Sequence, residues 1–564
     1  MTRRDNHKEL LAGASFLLMV AAAAAFELYS FDLWWHLAAG RLIFSGAGIP
    51  SQDPFSYTAV GEQWIDHEWL FQCFVYGLHL LGGSSALVIA RIGLITLSAA
   101  LVLRFVRLET GLSTTAAALL LTPFILSGRG RFLLRPELFT LLFSVLLLTA
   151  LLRRRSHSPT LRELWWIPLL FVPWANLHAG MILGIVCLGL FCAGRATELI
   201  LRRLRRLAPA EADGRPSFFV ALQLFSGATL AGLVNPFGIQ IYIVPFHLTS
   251  LIETDLFLNI EWHRPQLDSS WLYFLVLAAS AAVVVVRRRQ LTWTALLPLL
   301  FLVAISLRYV RNTAVFGFLA PILLARLIGK GSLPLAALRP ALTIFACTAL
   351  ATSFLLTDVG LGIDEDFIPV DAVDFLAAHR PSGEMFNDSN LGGYLAWRLW
   401  PDVRIFTDGR NEVFTKLQRR YRQAEGHPHR WRAMLDDFGI GYAVVSYRNP
   451  PQAIQVEDPS GDSPATQMLP FAVGHFPRRE WAMVYWDDTA MVFVRRSAEN
   501  ADLIGEHESA HVYPEIVSFQ AAAIRQGLAD AGACQRELEM KLEQDPGSRR
   551  ARQLLAAVRS AAPP

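Results

Sequence analysis

Charge is scarce in this sequence. Asp, Glu, Lys and Arg together make up 18% of its 564 residues, where a soluble globular protein carries roughly 25%. Hydrophobic residues reach 53% and the mean hydropathy is +0.35, so a second apolar environment is needed, which excludes a simple water-soluble enzyme and a disordered chain. Cysteine is scarce too. Cys73, Cys187, Cys192, Cys347 and Cys534 are odd in number and form no close pair at metal-ligand spacing, which argues against a disulfide framework and structural zinc. A net charge of +3 gives no polyelectrolyte excess, so nucleic acid is not an expected partner. The sequence lacks G-x-S-x-G and a dinucleotide fingerprint placed after a strand. Gly392-Gly393 lacks the lysine and spacing of a phosphate-cradling loop and reads as a close-packing turn.

Long apolar runs are what the sequence has in abundance. A helix crossing the bilayer core takes about 20 apolar residues, and such runs lie near 9–28, 84–106, 113–128, 136–152, 164–176, 179–200, 217–234, 270–286, 291–307, 312–329 and 339–357. The first reads as an uncleaved span. The run 164–176 is too short to cross without tilting or lying beside a cavity lined by protein. Basic clusters at Arg3–Arg4–Lys8, Arg104–Arg107, Arg153–Arg155, Arg202–Arg206, Arg287–Arg289 and Arg326–Lys330 all fall on the cytoplasmic side if the first run points outward. The expectation is a polytopic α-helical membrane protein of about 11 spans over 1–357. Its large external loop, 29–83, carries two surface helices, and parity places the tail outside.

The first of those surface helices lies within FDLWWHLAAGRLIFSGAGIP, with Trp34 and Trp35 suited to the headgroup region and Gly46, Gly48 and Pro50 as its stop. The second begins near His67-Glu68-Trp69-Leu70 and runs through 67–82. In the tail, 358–500 reads as a small α/β domain. FIPVDAVDFLAAHRP is an amphipathic helix, GEMFNDSNLGGYLAWRLWP with VRIFTDGRN is strand, turn, short helix and strand, MLDDFGIGYAVVSY is a helix–strand pair, and WAMVYWDD with AMVFVRR is a hairpin-like end. Residues 501–564 form a helical extension.

Some charges fall on the wrong side. Arg129, Arg131 and Arg135 in SGRGRFLLRPE, and Arg308 and Arg311 in SLRYVRN, sit at the outer boundary against the positive-inside trend. Such groups need a partner, and the planar guanidinium fork suits phosphate. The first loop offers the opposite sign in Asp32, Asp53, Asp66 and Glu68, joined by His36, His67 and His178. Plainer roles exist for each: arginines snorkel to headgroups, Asp32 caps a helix, Asp53 before Pro54 makes a turn, and His67-Glu68 starts a helix. The set as a whole fits a site for a lipid-linked phosphate donor and a hydroxyl or amine acceptor.

These residues resemble the GT-C superfamily of polytopic glycosyltransferases, in the style of its protein O-mannosyltransferase and aminoarabinose transferase branch. The similarity lies in Asp32 after an outward first span, the helix 33–45, the break at Gly46–Pro50, Asp53, then Trp64 and His67–Leu70. It extends to GLHLLGGSSALVIARIGLITLSAALVLRFVR, which places Arg91 early in the second span. Two departures stand out: Asp32 is followed by Leu33 rather than a second acid, and no Trp-Trp-Asp motif occurs in the tail. The resemblance implies a polyprenyl-phosphate-linked sugar as donor and an inverting direct displacement at the anomeric carbon. The setting it implies is the outer, periplasmic face of a bacterial-type cytoplasmic membrane. Asp32 is then expected to be the catalytic base, and Arg129, Arg131, Arg135, Arg308 and Arg311 to hold the donor phosphate. His36, Asp53, His67, Glu68 and His178 would bind sugar or a glycan, lipid or protein acceptor. No organic cofactor is expected. First-loop acids could serve a divalent metal if two or more converge, and spacing does not decide it. The alternatives are a non-catalytic membrane-anchored envelope binding or assembly protein, and a lipid or polysaccharide transporter.

Overall fold

In the computed structural model, residues 3–204, 214–254, 260–328, 359–456 and 465–561 are described. The expected span at 339–357 lies outside them. By contacts the chain forms two units. The helical unit is Met1–Leu28 with Asp66–Gly362, and the α/β unit is Tyr29–Ile65 with Ile363–Pro564. The loop 29–83 is therefore split at Ile65, and its first part folds with the tail.

The helical unit runs through α1 (Arg3–Ala23), then, after α2 (Asp32–Leu42) of the other unit, α3 (Trp69–Thr110), α4 (Thr114–Leu126), α5 (Glu137–Leu152), α6 (Trp166–Leu177) and α7 (Met181–Leu204). It continues with α8 (Phe218–Ala231), α9 (Gln240–Ile252), α10 (Trp271–Arg287), α11 (Trp293–Arg308) and α12 (Thr313–Leu324). Among the described residues four helices are long and apolar enough to cross a membrane: Trp69–Thr110, Met181–Leu204, Trp271–Gln290 and Val310–Leu327. Five shorter apolar helices accompany them. Together these mark an integral membrane protein.

Local chemistry sets the breaks. Gly82 and Gly83 leave helical geometry inside α3, Gly83 at φ 58°, so the surface segment and the span expected on either side of residue 83 form one kinked helix. Ser113 caps α4 by accepting from the Ala116 amide. Arg91, 1% exposed, donates to the carbonyls of Ala24 (3.1 Å) and Phe26, just past the end of α1. A buried charge thereby satisfies acceptors that would otherwise be stranded in apolar surroundings.

The α/β unit is built on a four-stranded sheet in the order β1 (Glu384–Asn387), β2 (Ile440–Ser446), β6 (Ala490–Arg495), β5 (Trp481–Trp486). The β1–β2 pair is parallel and the others antiparallel. All seven residues of β2 are buried, as expected for a central strand covered on both faces. A separate antiparallel pair joins β3 (Gln452–Val456) and β4 (Ala465–Leu469). The amphipathic helix (Val370–His379), the helix–strand pair ending in β2 and the β5–β6 hairpin are where the sequence puts them. The extension folds as Ala501–His507, Val517–Arg525, Ala531–Gln544 and Arg549–Ala561.

Three expectations are corrected. The helix after the first span does not lie on a membrane surface: Leu33 through Gly40 are all buried, with α2 packed on the helix Ser389–Leu399. Trp34 meets Tyr394 edge-on at 4.8 Å. Gly392 and Gly393 lie inside that helix rather than in a turn. Their missing side chains matter: a Cβ on Gly393 would lie 2.8 Å from the Phe31 carbonyl oxygen, and one on Gly392 only 1.9 Å from that of Thr407. Helical periodicity was masked there because the glycines serve packing rather than chain reversal. VRIFTDGRN, in turn, forms no strand of either sheet and makes one isolated bridge, Ser56 to Ile405.

Candidate functional site

In the helical unit, the connections between helices bring charged side chains together. Arg131 stands in a single helical turn (Arg129–Arg131) between α4 and α5, and Glu137 occupies the first turn of α5, where a carboxylate suits the helix dipole. Arg131 Nη2 lies 2.8 Å from Glu137 Oε2, and its Nη1 is 2.6 Å from Glu261 Oε1. Arg135 meets the same Glu261 oxygen at 2.6 Å. Arg311, from the turn between α11 and α12, pairs with the other oxygen of Glu137 and lies 4.6 Å over the Trp262 ring. These three guanidiniums and two carboxylates carry one net positive charge. Burial works against the charge on Arg131, and Glu137 and Glu261 overrule it, raising its pKa. Burial likewise disfavours ionised Glu261, but Arg135 and Arg131 hold its pKa below the usual range.

Next to this cluster stands His178, in the extended break between α6 and α7. Trp174 Nε1, which can only donate, gives its hydrogen to Thr140 Oγ1 at 2.9 Å. The Thr140 hydroxyl is then free to donate to His178 Nδ1, 2.8 Å away. With the Thr140 hydroxyl as donor the imidazole hydrogen sits on Nε2, 3.8 Å from Glu68 Oε1. Burial pushes the His178 pKa down to about 3, against the pull of Glu137. His178 is thus a neutral donor rather than a cation. His67 Nε2 approaches the same Glu68 oxygen at 3.6 Å, and a Cβ on Gly180 would lie 2.4 Å from His178 Nδ1, so glycine there makes room for the ring.

Two of the five expected arginines stand otherwise. Arg129 lies over Phe26 at 5.8 Å. Arg308 is exposed, pairing with Glu253 and bonding the Tyr309 hydroxyl at 2.8 Å. The expected site residues of the α/β unit form a second group. Asp32 opens α2 and is partly buried. His36, one turn on, is 1% exposed and stacks against Trp35 at 3.6 Å.

Asp53 accepts from the amides of Phe55 (3.3 Å) and Ser56 (2.9 Å) and pairs with Arg410 Nη2 at 2.7 Å. Arg410 also engages Asp408 through Nη2 at 2.7 Å and Nε at 2.9 Å, and lies 4.5 Å over Trp64. All three charged side chains are wholly buried. Asp53 is committed to this assembly, which differs from the substrate-binding role expected of it.

Glu137, Glu261, Asp408 and Arg410 are the residues sequence reasoning did not place in the site. Glu137 follows Arg135-Pro136 at a helix start, an acid beside an arginine group, and that adjacency was the signal. Among the described residues no three His, Cys, Asp or Glu side chains group so as to hold a metal ion.

No protein-family model and no curated protein sequence matches the chain. Solved structures share its fold. It is similar to the archaeal oligosaccharyltransferase AglB from Archaeoglobus fulgidus, solved with an inhibitory peptide and a dolichol-phosphate, at 12% identity and a TM-score of 0.52 over 94% of this chain and 84% of that one. ArnT from Cupriavidus metallidurans, bound to undecaprenyl phosphate, aligns at 12% identity and a TM-score of 0.44 over 87% of this chain and 98% of that one. The arabinofuranosyltransferase AftD from Mycobacteria aligns at 15% and 0.44, over 88% of this chain and 42% of that one. These neighbours are GT-C glycosyltransferases. At such identities the likeness is one of fold, and the AglB match carries it.

Proposed function

We propose that this chain, with its GT-C-like fold, is a membrane glycosyltransferase that moves a sugar from a polyprenyl-phosphate donor to an acceptor at the outer face of the cytoplasmic membrane. The observation that carries the reading is the cluster of Arg131, Arg135 and Arg311 on Glu137 and Glu261. Its net positive charge, at the connections of apolar helices, suits a lipid phosphate. The dolichol-phosphate bound to the AglB structure supports the same choice.

Arg131, Arg135 and Arg311, with Arg129 beside them in sequence, hold the phosphate. Arg308, occupied with Glu253, belongs to the rim. Asp32 takes the proton of the acceptor hydroxyl or amine as that atom attacks the anomeric carbon. The bond from anomeric carbon to phosphate oxygen breaks, its electron pair leaves with the polyprenyl phosphate, and the sugar inverts. Guanidiniums fixed by their carboxylates stabilise that charge with little reorganisation. His178 and Glu68 offer a neutral donor and an acceptor to sugar hydroxyls, with His67 and His36 nearby in sequence to the acids they serve.

The test is transfer of radiolabelled sugar from polyprenyl-phosphate donors by the full chain in proteoliposomes. Asp32→Asn is expected to lower turnover by about 10²–10⁴-fold, the range of a lost general base. Wild-type turnover by a folded Asp32→Asn protein removes the base assignment.

A further inference from the structure

Gly409 stands between Asp408 and Arg410, so both its neighbours belong to the buried ion assembly with Asp53. The Arg410 backbone amide donates a hydrogen bond to Asp408 Oδ1 at 2.9 Å, and the Asn411 amide donates to the Gly409 carbonyl at 3.0 Å. The turn is thereby fixed. A Cβ built on Gly409 would lie 2.7 Å from Asp32 Oδ1 and 3.7 Å from Trp35 Nε1. Its backbone is not left-handed, so glycine is not required there for conformation. What glycine supplies is space, and the atom that uses the space is the Asp32 carboxylate oxygen.

We infer that the Asp408-Gly409-Arg410 turn is a positioning wall for the Asp32 carboxylate, with Gly409 the residue that sets where that carboxylate stands. This rests on Asp32 being the base. Nothing larger than hydrogen fits between turn and acid without moving the acid, because a fixed backbone yields less than a side-chain end. The two neighbouring close approaches, at Gly392 and Gly393, hold the start of α2 and the strand-like segment before the turn on the same helix.

The variant Gly409→Ala separates position from fold, since alanine tolerates the backbone and adds one methyl beside Asp32. Full-length protein is assayed in proteoliposomes with undecaprenyl-phosphate-linked hexoses and pentoses, reading release of undecaprenyl phosphate. The expected result is a kcat lowered about 10–100-fold, the scale of an ångström-sized misplacement, with KM and thermal unfolding unchanged. In an Asp32→Asn background Gly409→Ala is expected to add nothing, since it acts through that acid. Carbodiimide labelling of Asp32, read by mass spectrometry in the same proteins, is expected to rise severalfold in Gly409→Ala while labelling elsewhere holds.

Wild-type turnover and labelling by Gly409→Ala beside an inactive Asp32→Asn overturn the positioning role and leave the base intact. Losses that multiply in the double variant also overturn it, since they mark a purely structural effect. An active Asp32→Asn removes the base and this inference together. Unchanged Asp32 labelling in Gly409→Ala overturns the inference whatever donor the enzyme uses.

Discussion

A guanidinium with no exposed surface stays charged only with opposite charge beside it. Arg410 has two carboxylates and three aromatic faces, Trp64, Phe55 and Phe414. Removing one partner leaves the charge buried and uncompensated, so Asp53→Asn is expected to cost about 3–5 kcal/mol. Hydrogen exchange of β2 in the full chain measures it, and protection equal to wild type contradicts the account. His178 makes the opposite statement, a base held neutral. Its folded pKa of about 3 lies below its ordinary 6.5, so below pH 6.5 the unfolded chain binds the extra proton first. Stability is therefore full above pH 6.5 and falls as pH drops toward 3. His178→Gln should flatten that slope, which thermal unfolding between pH 4 and 7 reads directly.

At the scale of elements, close approaches of backbone decide the packing. Gly128 ends α4 against the start of α12, where a Cβ would sit 2.6 Å from Ala314 Cα. Gly194 in α7 meets Thr294 of α11 as closely. Neither neighbour is a flexible tip, so Gly128→Ala is expected to destabilise by about 1–3 kcal/mol, seen as a lower unfolding temperature in detergent. An unchanged temperature would mean the helices separate freely. The elements themselves were largely readable: apolar runs gave the helices, and alternating apolar residues gave the β5–β6 hairpin. What hid was the packing role of small residues. Gly393 looked like part of a turn and proved to lie on the helix face that receives α2. Trp34-Trp35 looked like a headgroup anchor and proved to be buried core. In both cases the tertiary partner lies more than 350 residues away in sequence, where no local signal reaches.

For the whole molecule, charge placement was the readable part of the candidate site. The arginine groups at 129–135 and 308–311, and Glu68 with His178, were conspicuous as polar residues among apolar runs, and the structure brings Arg131, Arg135 and Arg311 into one cluster. Glu137 and Arg410 were hidden because each lies beside sequence that offers an ordinary helix start or turn. The assignment of the first loop to the α/β unit was hidden as well, since its hydropathy alone does not distinguish a lipid surface from a protein core. The pairing of arginines with carboxylates also explains how a group of cations persists among apolar helices before any ligand arrives: the acids offset the charge and hold the guanidiniums in place.

Phosphate binding at this arginine cluster is the claim to measure. Native mass spectrometry of the full chain with undecaprenyl phosphate and with the uncharged undecaprenol compares the two lipids directly. The account predicts retention of the phosphate in preference to the alcohol. It predicts that Arg311→Met and Arg131→Met each weaken phosphate binding by about 10–100-fold, as for a lost hydrogen bond to a charged group, and that Arg559→Met in the last helix leaves it unchanged. Equal binding of phosphate and alcohol, or phosphate binding indifferent to Arg131 and Arg311, would contradict it.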